Sequence, residues 1–134
     1  VNPHHTAPAA VEDTELGDTL DDLNGFDWLP GFADLRAALR TIAEAVLTGR
    51  YTADASQTLA AVLAGSAGAD VLTVVGHLTA LITNPDTNPA LTHIDPDRAK
   101  KARLHGEHLV HHLADDHDLH QHAANAAAAI DHQP

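Results

Sequence analysis

Cysteine and methionine are both absent from the 134 residues. No disulfide framework can form, and a structural zinc would need histidine and carboxylate ligands without thiolate. Aromatic residues are nearly absent too: Phe26, Trp28, Phe32 and Tyr51 are too few for a base-stacking platform or a cofactor box. Nucleophiles are scarce, with Ser56 and Ser66 the only serines, and Gly65-Ser66-Ala67-Gly68 lacks the lysine that completes a phosphate-binding loop. Bases are outnumbered, 7 Lys and Arg against 19 Asp and Glu, for a formal charge of −12 with histidine neutral. Phosphate backbones are bound through Lys and Arg, so direct nucleic-acid binding is disfavoured. No apolar run approaches the length of a membrane helix. Val1 to Ala10 shows no basic stretch followed by an apolar one, so it does not read as a secretory signal. The expectation is a cytoplasmic protein, and the Ala-rich, Lys-poor composition suits a bacterial high-GC genome.

What is present is alanine and histidine. Alanine makes up 26 residues, while Leu, Ile, Val and Phe together make 31. The core should be thin, yet the chain is apolar enough to fold. Residues 1–11 carry Pro3, Pro8, His4 and His5 without periodicity and read as a disordered leader. Seven acids and no base follow from Glu12 to Asp27. Within that run Leu16, Leu20 and Leu23 recur at helical spacing after Thr14, a good N-cap, and Asn24-Gly25 closes a short helix. Phe26 to Gly31 reads as an aromatic plug over one end of the core.

Phe32, Leu35, Leu39, Ile42 and Val46 lay an apolar seam on a helix ending at Gly49. Thr52 caps a second helix through Leu59, Val62 and Leu63, stopped by Gly65. Ser66 or Gly68 opens a third, where Val71, Val74, Val75, Leu78, Leu81 and Ile82 form a broad face expected to be central and buried. Asn84-Pro85 ends it, residues 84–89 form a loop, and Asp95-Pro96 starts the next helix. From Pro96 a helical pattern runs to about Ile130. Either it breaks near Asp115-Asp116, or the stretch from Ala123 to Ala129 projects and lets a second copy approach. The fold expected is all-α: one small helical bundle over residues 12–134, with four main helices, a short acidic N-terminal helix and a long His- and Ala-rich C-terminal one.

Seven of the 12 histidines lie between His105 and His122. His108, His112, Asp116 and His120 step by four, the spacing at which side chains on one helix can share a metal ion. This is a candidate site for a divalent transition metal such as zinc or nickel, with His77 as a further ligand. The plainer reading of such a helix is a solvated surface. No Glu-x-x-His and no His-Glu-x-x-His occurs, so neither di-metal bundles nor metalloproteases are indicated. Clustered imidazoles would also gain several charges between about pH 7 and 5, a pH response as a second use.

Arg98, Lys100, Lys101 and Arg103 place four of the seven bases in six residues, where the helix dipole disfavours them. They are candidates for an interaction with an acidic partner, including the run from Glu12 to Asp27. The helices flanking residues 65–70 resemble a helix-turn-helix in outline only, since the second carries no Arg, Lys, Asn or Gln before its end. No residue pattern names a reaction. The leading expectation is a non-enzymatic protein acting through contact with a protein partner or as a homo-oligomer. The alternatives are a metal-binding helical protein and an acidic mimic that inhibits a nucleic-acid-binding protein.

Overall fold

The computed structural model of the protein describes residues 10–131. Every regular element among them is helical, which bears out an all-α fold, and no helix is long and apolar enough to cross a membrane. The helices group into two compact units, up to Thr52 and from Ala53 onward.

In the first unit a short 3-10 turn, Val11–Asp13, leads into α1, Glu15–Asp22. Thr14 caps α1 as its side chain allows: Oγ1 accepts from the Gly17 amide at 3.0 Å and donates to the Val11 carbonyl at 2.6 Å. Val11, read from sequence as part of the leader, is the most deeply buried apolar side chain, only 2% exposed. A lone valine has no period to betray it. Its main chain passes where Gly17 leaves space, since a Cβ on Gly17 would collide with the Val11 carbonyl. Of the three leucines expected to dock α1, Leu20 is buried, Leu23 half-buried and Leu16 exposed.

Helix α2, Phe32–Leu47, follows the seam read from sequence and ends as expected. Gly49 is left-handed, with φ 73°; its amide donates to Val46 and that of Arg50 to Ala45, the paired bonds that close a helix around a glycine. The seam is only half-buried, with Leu35 and Val46 exposed. Trp28 is no plug: it is 76% exposed, while Phe26 and Phe32 meet edge to face with ring centres 6.3 Å apart. The acidic run is held within this unit. Arg36 donates a fork to both oxygens of Asp27, at 2.7 and 2.8 Å, and a third bond to the Leu20 carbonyl at 2.7 Å. Arg40 pairs with Glu12, Glu44 and Asp21.

The second unit holds α3, Ala53–Ala64; α4, Val71–Thr83; α5, Pro96–Asp115; and α6, His117–Asp131. It is built from two helix pairs, α4 with α5 and α3 with α6. Both pairs close through small residues. In the first, Gly76 lies against Val110 and Leu113, and Gly106 against Ala80 and Thr83, so the helices run antiparallel with their backbones close. In the second, a Cβ on Gly65 would lie 3.0 Å from the Ala124 amide nitrogen and 3.3 Å from the Ala123 carbonyl carbon. Ala123, Ala124 and Ala127 of the C-terminal segment are therefore packed within the chain, Ala127 being 5% exposed, while Ala126, Ala128 and Ala129 lie on the outside of α6.

The long helical pattern from Pro96 breaks at Asp116. Aspartate competes with the helix for backbone donors, and here its Oδ1 accepts from the Leu119 amide at 3.2 Å, opening α6.

Candidate functional site

Helix α4 has its faces the opposite way round from the sequence expectation. At 100° per residue, Val71, Val74, Val75, Leu78, Leu81 and Ile82 occupy an arc of about 120°. They were expected to be buried. All six are exposed, from 39% at Val71 to 62% at Val74. The face turned to α5 is the stripe Thr73, Gly76, Ala80 and Thr83, in which Thr73 and Gly76 are buried. The close approach to Gly106 selects small residues, and the large aliphatics are left outside. No charged residue occurs from Val71 to Thr83.

The second feature is a buried polar cluster where four elements meet. Asp70 caps α4: Oδ1 accepts from the Thr73 amide at 2.9 Å and the Thr73 hydroxyl at 2.7 Å, and Oδ2 from the Ser66 amide at 3.1 Å. The cap is therefore Asp70 and not Ser66 or Gly68. Asp70 Oδ2 also lies 2.6 Å from Nδ1 of His120, and both side chains are almost wholly inaccessible, at 0% and 4%. The same Nδ1 is 2.9 Å from the carbonyl oxygen of Ala64, the last residue of α3, and Nε2 is 2.5 Å from that of Leu113 in the last turn of α5. Burial opposes charge on His120, but the two carbonyls and the Asp70 carboxylate outweigh it and raise its pKa above the ordinary histidine value. Burial likewise opposes the Asp70 charge, and the bonds from Thr73, Ser66 and His120 together lower its pKa.

The four residues of the proposed metal ladder are dispersed. His108 and His112 are exposed on α5, Asp116 is used as the cap between helices, and His120 turns inward to oxygen atoms. His77 is exposed on the flank of α4. Among the described residues no three His, Asp or Glu side chains are grouped to hold a metal ion. Of the basic turn, Arg98, Lys100 and Lys101 are exposed, while Arg103 is half-buried and pairs with Asp86 at 3.3 Å and Glu107 at 3.8 Å. Arg36 and Arg40 of α2 partner the acidic run instead.

Asp70 was missed by the sequence reading. Its signal was present, an aspartate immediately before an apolar helix with Thr73 three residues on; His120, 50 positions later, reads from sequence as a metal ligand and not as its partner. No protein-family model, curated protein or solved structure matches the chain.

Proposed function

We propose that this chain is a non-enzymatic helical protein that works through protein–protein contact, and that it self-associates by the outer face of α4. The observation carrying this reading is the contiguous set of six exposed aliphatic side chains on that helix. Single exposed leucines are ordinary, but a continuous apolar face marks an interaction surface.

Charge favours a second copy as the occupant. At −12 two copies repel over most of their surface, and α4 offers an uncharged stretch where that repulsion is least. An aliphatic face is also complementary to itself across a two-fold axis. Burying the remaining half of each side chain is worth about 1 kcal/mol. Twelve such side chains across a two-fold axis supply on the order of 10 kcal/mol against association costs of about 4–15 kcal/mol. The result is a concentration-dependent dimer.

Sedimentation equilibrium over a range of protein concentrations tests this. The wild-type mass should rise toward twice the monomer value, and the Val74→Glu, Leu78→Glu double variant should remain monomeric with an unchanged helical circular dichroism spectrum. A wild-type chain that stays monomeric at every concentration overturns the reading.

A further inference from the structure

His120 has oxygen atoms at both ring nitrogens. A neutral imidazole carries one N–H and one lone pair, so it can satisfy only one side of such a site. Here Nδ1 faces the Asp70 carboxylate and the Ala64 carbonyl, and Nε2 faces the Leu113 carbonyl. Peptide carbonyls and a cap carboxylate that accepts three other hydrogen bonds are acceptors only. Whichever nitrogen lost its proton would turn a lone pair toward oxygen, at 2.5 Å on the Leu113 side or 2.6 Å on the Asp70 side.

The placement of the acceptors adds a second reason for charge. Ala64 and Leu113 lie in the last turns of α3 and α5, where carbonyls lack intrahelical partners and the helix dipoles are negative. One imidazolium thus caps two helix ends while pairing with the residue that caps a third. Asp70 is the charged group that faces the ring; α3 and α5 present main-chain oxygens to it.

We infer that His120 is held as the doubly protonated imidazolium and acts as a proton-dependent latch, fastening α6 to the ends of α3 and α5 and to the cap of α4. Loss of the proton removes one of the donors and leaves the buried Asp70 carboxylate without its cationic partner. Beyond these bonds α6 is held in this unit by its packing on α3, where Ala123 and Ala124 lie against Gly65. The latch is closed in mildly acidic and neutral solution and loosens as pH rises through the His120 midpoint. This behaviour is independent of the self-association proposed above, because α4 keeps its own packing on α5.

Nitrogen-15 NMR of the histidine side chains in the full-length protein is the direct test. His120 should show two protonated ring nitrogens at neutral pH. Above the His120 midpoint, the protection of α6 amides, corrected for intrinsic exchange, should fall about tenfold per pH unit, the slope of one released proton. Asp70→Asn, which keeps the side-chain shape, should move that midpoint down toward the ordinary histidine value. His120→Gln should abolish the pH dependence of α6 protection; if it fails to fold, the wild-type spectra still decide. A single neutral tautomer at neutral pH, or α6 protection that ignores the titration, overturns the latch.

Discussion

Replacing Gly106 with alanine sets two known effects against each other in one helix. In an open helix interior the change is stabilising by about 1 kcal/mol, because glycine has more backbone entropy to lose. Here the new methyl would collide with the Thr83 hydroxyl and lie 3.3 Å from both the Thr83 Cβ and the Ala80 Cα. The hydroxyl can rotate away, giving up its bond to the Thr79 carbonyl at 3.0 Å. Ala80 belongs to the backbone and cannot. The helices must then part by a few tenths of an ångström along a stripe where Gly76 is packed against Val110 and Leu113, and overpacking of this kind costs about 1–3 kcal/mol. The net expectation is a loss of about 1 kcal/mol, or about 4–8 °C in melting temperature for a unit of this size.

Thermal unfolding followed by helical circular dichroism, with amide exchange in α4 and α5, measures the effect. Trp28 lies in the other unit, so its fluorescence midpoint serves as an internal control. A second substitution, Thr83→Ala, removes the hydroxyl and should recover about 1 kcal/mol in the Gly106→Ala background. If Gly106→Ala instead stabilises the protein by about the propensity value, α4 and α5 do not approach closely at this point, and the small-residue account of the pair is wrong.

Other outcomes follow from the same geometry. Gly17→Ala drives a methyl into the Val11 carbonyl, a backbone group that cannot turn aside, and should lower the stability of the first unit by about 1–3 kcal/mol in urea titrations. For the second unit, the raised His120 pKa gives stability that is full below about pH 6.5 and is lost as pH rises through the folded value. The lowered Asp70 pKa gives stability present above about pH 4 and lost as pH falls through its folded value, so unfolding free energy should peak between them and flatten in Asp70→Asn. In the first unit the Arg36 fork holds the Asp27 carboxyl below its usual range; Arg36→Lys should raise the Asp27 midpoint, read by carboxyl NMR. Zinc should leave the melting temperature unchanged and should not shift the His120 ring signals, whereas binding that requires His108, His112 and His120 together would contradict the arrangement described.

The helix boundaries were largely legible because they rest on local chemistry. Thr14, Gly49, Asn84-Pro85 and Asp95-Pro96 act within one turn of themselves, and each marks an element where its chemistry indicates. Errors arose where a residue had two local roles. Asp116 reads equally as a rung of a helical ladder or as a cap; in the structure it caps α6, and His120 turns toward Ala64 and Leu113. The face of α4 was misjudged for a related reason. Periodicity reveals that Val71, Val74, Val75, Leu78, Leu81 and Ile82 lie together, but not whether α5 packs on them or on the small residues opposite. Gly106 decides it by allowing a close contact with the Ala80 backbone and the Thr83 side chain that a larger residue would prevent.

By itself the sequence determined an all-helical chain, the positions of most helix ends and a surplus of negative charge, since propensity, capping and composition act over a few residues. The tertiary structure alone decided which histidine leaves the surface, what the acidic run pairs with and which side of α4 stays outside. Those outcomes depend on groups far apart in the chain. His120 meets Ala64 across 56 positions and Glu12 meets Arg40 across 28, and no local spacing encodes a contact that exists only once the helices have packed.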